Sequence, residues 1–133
     1  MTAVQTINPS TFGPALFPYS QATIANGFVF VAGQVALDDE NKVVAPGDAY
    51  VQTLVMLDRV ARVLADVGGS LDDVVTATVY ITSLDHLPEF NRAWEEKFGQ
   101  HRPARATVVA GLLIDGLVVE VQSTAVHRAG SSV

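Results

Sequence analysis

Glu120 interrupts the apolar run Leu117-Val118-Val119-Glu120-Val121, where a charge is costly unless it is solvated or paired. Two readings follow. It is a carboxylate on the wet face of an alternating strand, or a general acid/base whose pKa is raised toward neutrality by apolar neighbours. Arg105 stands in Pro103-Ala104-Arg105-Ala106-Thr107, where a proline-stiffened loop enters an apolar strand. Its planar fork suits a two-point clamp on a carboxylate, and it equally suits a surface salt bridge. Phe17-Pro18-Tyr19-Ser20-Gln21 sets a phenol beside a rigid proline, and Val31-Ala32-Gly33-Gln34 leaves backbone amides unscreened at a strand end. Gly33 would admit a ligand closely, although alone it reads as a bulge and Tyr19 as a half-buried packing residue.

Other chemistries lack their residues. With zero cysteines there is no disulfide framework, no thiolate nucleophile and no cysteine-based zinc site. His86, His101 and His127 share no i, i+4 pairing and no short segment with carboxylates, so no metal is expected. Gly68-Gly69 follows a helix instead of opening one, which leaves no phosphate loop and no expected nucleotide cofactor. Ser20, Ser70 and Ser83 have neither a nearby histidine nor a nucleophile-elbow pattern.

The elements that must position these residues show in the periodicity. Residues 20–24 and 28–31 flank Ala25-Asn26-Gly27, and Asn-Gly supplies the positive φ of a tight hairpin. Val43-Val44 makes a third short strand before Pro46-Gly47 breaks the chain. Tyr50, Leu54, Leu57, Ala61 and Leu64 recur at helical steps with Gln52, Arg59, Arg62 and Asp66 opposite, capped by Asp48 and ended by Gly68-Gly69. Residues 74–81 alternate as a strand, with Val75, Ala77, Val79 and Ile81 on one face and Thr76, Thr78 and Tyr80 on the other. A second helix opens at Ser83 or Asp85 with Pro88 in its first turn, aligns Phe90, Trp94 and Phe98, and ends at Gly99. Residues 100–105 read as a loop, 107–110 and 117–126 as strands around an Asp115-Gly116 turn, and the last eight residues as frayed.

The order βββ-α-β-α-ββ predicts an α+β fold, two helices packed on one face of a single mixed sheet. The other face, with Thr76, Thr78, Tyr80, Val118, Glu120, Gln122 and Thr124, is too mixed to be wholly wet or wholly buried, and a symmetric contact between copies would cover it. At 133 residues, 49% hydrophobic and 17% charged, one domain over 1–133 is expected. A formal charge of −6 repels phosphate backbones and anionic lipid, so neither nucleic acid nor membrane is an expected partner. Residues 28–31 and 117–119 are far too short to span a bilayer, and the first basic side chain, Lys42, leaves the start without a signal or transit pattern, which predicts the cytoplasm.

Pro18-Tyr19-Ser20-Gln21-Ala22, the hairpin into Gly33-Gln34, Leu71-Asp72-Asp73-Val74-Val75, Phe90-Asn91 and Pro103-Ala104-Arg105 together resemble the Rid (YjgF-type) family, the reactive-intermediate deaminases, over nearly the whole chain. The resemblance implies a chorismate-mutase-like fold, a homotrimer and ligand clefts between subunits. It implies hydrolysis of 2-imino and 2-enamino acids to 2-oxo acids and ammonia, as in 2-iminobutanoate/2-iminopropanoate deaminases, with no cofactor. By this likeness Arg105 holds the substrate carboxylate and Glu120 positions the attacking water. Tyr19, Gly33 and Asn91 line the cleft, and the Thr107 backbone helps hold the water.

Four departures bear on the site. Ala32 stands where the archetypal members have serine, Phe17 where many have glycine and Gln122 where they have a second strand glutamate, and the Asn91-to-Arg105 connection looks shorter. They keep two alternatives open: a non-catalytic trimer that binds small carboxylates or a partner, and a relative specialised for a different imine or enamine.

Overall fold

The computed structural model describes residues 3–128. In chain order the elements are β1 (Gln5–Ile7), β2 (Ala22–Ala25), β3 (Phe28–Val35), α1 (Ala49–Ala65), β4 (Val74–Ile81), α2 (Leu87–Phe98), β5 (Ala104–Val109) and β6 (Val119–Val126). The six strands form one sheet in the order β1-β2-β3-β6-β4-β5. Neighbours are antiparallel except β4 and β5, whose parallel pairing needs a crossover that α2 supplies. Two helices on one face of a mixed sheet is the α+β arrangement expected from the sequence.

Local chemistry explains the joints. The β2–β3 hairpin turns at Asn26 (φ +51°) and Gly27 (φ +82°), the positive-φ pair that matches strand twist. Asp48 caps α1 by accepting from the Val51 N–H at 3.0 Å. The helix ends where Gly68 takes φ +81° and the Gly69 N–H returns to the Leu64 carbonyl at 2.8 Å. Between helices and sheet, Met56, Leu57, Val60 and Val63 of α1 and Phe90, Trp94 and Phe98 of α2 bury against Val31, Val79, Val119 and Val121. The α2 rings stack in series, with centroids 5.4 and 4.6 Å apart.

Several expectations need correction. The third strand before α1 is β1, not Val43-Val44, which makes only a single bridge, Leu37 to Val43. The Asp38 carboxylate accepts from the Glu40 and Lys42 amides and turns the chain too tightly for a ladder. Gln52 and Arg59, expected on the polar side of α1, are buried. Val75 is exposed because β4 and β6 shift register between Val74 and Thr76, so the strict alternation starts only after it. Arg105 lies within β5 rather than in the preceding loop, since pairing with Ala77 begins the strand early. β5 stops at Val109 and β6 begins at Val119. Val118 lies partly buried against the core instead of on the open face. Of the last eight residues, Val126 belongs to β6, the His127 N–H donates to the Gly27 carbonyl, and Arg128 sits 2.6 Å from the Asp73 carboxylate. Residues 129–133 lie outside the described part.

The sheet face away from the helices carries Phe28, Phe30, Thr76, Thr78, Tyr80, Glu120, Gln122 and Thr124, with the two phenylalanines well exposed. Among the described residues no helix is long and apolar enough to cross a membrane.

Candidate functional site

Glu120 is the second residue of β6, opposite Val35 on one side and Tyr80 on the other, and its side chain lies on the helix-free face. It crosses to Gly33 at the register shift between Val31 and Gln34. A Cβ on Gly33 would strike the Glu120 carboxylate oxygen and stand 3.1 Å from its Cδ, so the close approach requires glycine. The carboxylate is half-buried, has no hydrogen-bond partner among the described residues, and burial pushes its pKa above the usual glutamate range. Glu120 and Gly33 line a cleft of ≈300 Å³ with Tyr19 and Gln122. A second cleft of ≈380 Å³, walled by Tyr80, Ala110 and Gly111, opens on the other side of the same carboxylate.

Tyr19 is held there by its neighbours. The Gln21 N–H donates to Asn8 Oδ1 at 3.0 Å, and the Gln21 carbonyl accepts from the Ala32 N–H at 2.8 Å. Beneath runs a buried polar chain that sequence reasoning missed. Arg59, only 5% exposed, donates from Nε to Gln34 Oε1 at 3.1 Å and from Nη1 to the Leu37 carbonyl at 3.0 Å. Gln34, 1% exposed, donates on to Gln21 Oε1 at 2.7 Å. The guanidinium also lies 4.3 Å from the centre of the Phe12 ring. Arg59 therefore ties both walls of the cleft, the strand end that carries Gly33 and the segment that carries Tyr19. The signal was present: Gln52, Met56, Arg59 and Val63 follow helical spacing on one face, but their mixed polarity disguised it.

Arg105 and Asn91 meet elsewhere. Arg105 Nη2 donates to Asn91 Oδ1 at 2.9 Å, and the guanidinium lies 4.8 Å from the centre of Phe90 and 5.1 Å from that of Trp94. The aromatic pair and the amide fix the fork, and burial lowers the arginine's pKa. Asn91, Trp94 and Arg105 line a cavity of ≈320 Å³ with Glu95, His101, Arg102 and Pro103. Glu95 pairs with Arg102 at 3.2 Å, which leaves the Arg105 guanidinium to meet an anion. His101 Nε2 donates to the Val74 carbonyl at 2.7 Å and anchors the loop that leads into β5. Thr107 follows Arg105 by two residues, on the same side of β5.

The structure thus gathers Tyr19, Gly33 and Glu120 in one cluster and Asn91, Arg105 and Thr107 in another. It does not join them within one chain. β4 separates β5 from β6, so their backbones lie roughly 10 Å apart. Arg105 pairs with Ala77, on the helix side, while Glu120 pairs with Tyr80, on the open side. Among the described residues no three His, Asp or Glu side chains converge as metal ligands.

A model of the family described as Endoribonuclease L-PSP matches residues 12–127. The 3-aminoacrylate deaminase RutC of Acinetobacter baylyi is 37% identical over 119 residues, which covers 90% of this chain and 94% of that one. The structure of YyfA from Yersinia pestis, a protein of the Rid family, superposes with a TM-score of 0.86 at 29% identity, covering 93% of this chain and 99% of its own. E. coli TdcF with bound serine superposes at 0.83 with 25% identity, covering 92% of this chain and 98% of its own.

Proposed function

The chain belongs to the Rid family, whose L-PSP model spans residues 12–127, and we propose that it is a deaminase that hydrolyses 2-imino acids to 2-oxo acids and ammonia. The observation that carries this reading is the half-buried Glu120 carboxylate, unpartnered among the described residues and laid over bare Gly33. Support comes from RutC, named a deaminase of 3-aminoacrylate, and from TdcF with its bound amino acid.

The substrate R–C(=NH)–COO⁻ offers a carboxylate and an electrophilic imine carbon. Arg105, aligned by Asn91, Phe90 and Trp94, takes the carboxylate in two parallel hydrogen bonds. Glu120 accepts a proton from water as the oxygen bonds to the imine carbon, and the C=N π pair goes to nitrogen, which is protonated. The proton the nitrogen takes up is the one Glu120 drew from water. The carboxylate then takes the proton of the new hydroxyl as the C=O bond forms and delivers it to the nitrogen as the C–N bond breaks, releasing R–CO–COO⁻ and NH₃. A raised pKa suits a group that must both take and give a proton near neutrality. Tyr19 and Gly33 shape the cleft beside it, and the Thr107 backbone helps hold the water.

Because Arg105 and Glu120 occupy opposite sides of one sheet, the reading requires Arg105 of one copy to face Glu120 of another. A closed ring of three copies that seats the β5 edge of one copy over the open sheet face of the next, with its exposed Phe28 and Phe30, would supply such sites. The charge of −6 opposes a phosphate backbone, so a small acid, rather than the RNA in the family model's description, is the substrate proposed.

The test generates 2-iminopropanoate or 2-iminobutanoate with an amino-acid oxidase and competes the protein against semicarbazide. Faster imine loss with protein supports the reading. No acceleration, with carboxylates still bound, turns the chain into a non-catalytic carboxylate binder.

A further inference from the structure

The cleft over Glu120 is walled mostly by apolar side chains. Its ≈300 Å³ is walled by Leu16, Phe17, Ala32, Val35, Leu113 and Ile114, and no cationic side chain lines it. Glu120, Gln122 and Tyr19 supply its polar groups. Leu113 is 89% exposed and Phe17 47%, so large apolar side chains stand at the mouth without cover in the isolated chain. Exposed apolar surface grouped around a concave site marks where an apolar group binds.

Charge decides which part of the substrate enters. Within one chain a carboxylate would meet Glu120 there with no cation to offset the repulsion, whereas the Arg105 cavity offers the Arg105 guanidinium, with Arg102 beside it paired to Glu95. The two pockets therefore divide the substrate, its acid end at Arg105 and its side chain over Phe17 and Leu113. A volume of ≈300 Å³ far exceeds what one methyl group fills.

We infer that the preferred substrates are 2-imino acids with bulky apolar side chains, of the kind formed from leucine or phenylalanine, and that Phe17 and Leu113 set this preference. The inference rests on the imine-hydrolase reading and narrows it. Ala32 fits the same role, since a methyl group there adds apolar wall without a hydroxyl that would need a partner.

The test compares imines made in situ from the D-isomers of alanine, leucine and phenylalanine by D-amino-acid oxidase, each competed against semicarbazide. The expected result is a kcat/KM about ten-fold or more higher for the leucine and phenylalanine imines than for the alanine imine, because each added methylene in an apolar pocket is worth about that much. Phe17→Gly should narrow the ratio, and Leu113→Ser should narrow it too, with circular dichroism and light scattering as checks on folding. If neither variant folds, calorimetry of the parent decides, with 4-methyl-2-oxopentanoate expected to bind more tightly than pyruvate. Equal or faster turnover of the alanine imine overturns the inference and leaves the hydrolase reading standing. Acceleration of no imine at all refutes that reading, and this inference with it.

Discussion

Gly33 lies directly beneath the carboxylate of Glu120, so close that even a methyl group on Gly33 would strike it. The atom in the way is the far end of a flexible side chain, so the fold can absorb the change by moving the carboxylate. Gly33→Ala is expected to keep the melting temperature within about 4 °C. Displacing the carboxylate by about 1 Å should lower kcat/KM for imine hydrolysis about 100-fold. Unchanged turnover would show that the carboxylate's position does not matter.

Glu120→Gln separates binding from chemistry. Glutamine keeps the size and can still bond water, but it cannot exchange a proton, so turnover should fall about 100- to 10,000-fold while carboxylate affinity measured by calorimetry persists. Stability has a definite sign. A carboxyl whose pKa is raised by burial holds its proton longer folded than unfolded, so the parent loses stability as pH rises through the folded value. Thermal melts of Glu120→Gln should therefore exceed those of the parent at about pH 7.5 and converge with them near pH 4. In the parent, kcat/KM should rise with pH along a limb that lies above the ordinary glutamate range.

Arg105→Lys keeps the charge and discards the two-point geometry fixed by Asn91, Phe90 and Trp94. Loss of charged transition-state hydrogen bonds costs about 2–4 kcal/mol, or roughly 30- to 1000-fold in rate. Steady-state kinetics beside a circular dichroism melt checks this. A fully active lysine variant would make the arginine structural.

The sequence pattern made the helices, the Asn26-Gly27 hairpin, β4 and the terminating glycines legible, because each rests on short-range periodicity or turn chemistry. What it concealed was long-range. β1 pairs with a strand 15 residues away and carries too little pattern to announce itself, while Val43-Val44 looked like a strand but is bent by Asp38. Arg59 and Gln52 read as solvent-facing because their partners, Gln34, Leu37 and loop carbonyls, come from distant segments. Glu120 stood out as a charge in an apolar strand, and Arg105 as a charge where a proline-stiffened loop enters another. Their separation follows from strand order, which puts β4 between them, and from register, which puts them on opposite faces; local pattern encodes neither.

Arg59 gives that buried chain a measurable consequence. Arg59→Met would leave Gln34 Oε1 and the Leu37 carbonyl without their donor, at a cost of about 1–3 kcal/mol. Urea denaturation should show a lowered midpoint, and Arg59→Lys should recover little, since one ammonium lacks the fork that reaches both acceptors. A parent-like midpoint in the methionine variant would show that the network contributes nothing to stability.

The claim that one site draws Arg105 and Glu120 from two copies is tested most directly by complementation. Arg105→Lys and Glu120→Gln chains, each deficient alone, are unfolded together in equal amounts, refolded, and assayed for hydrolysis of a trapped imine. In a closed ring of randomly mixed copies, about one interface in four combines an intact Arg105 with an intact Glu120 from the neighbour. Activity should therefore return to about a quarter of that of parent protein refolded in the same way. A mixture no more active than the mean of the two variants would place both residues in one chain's own site, or neither in the chemistry, and would contradict the account.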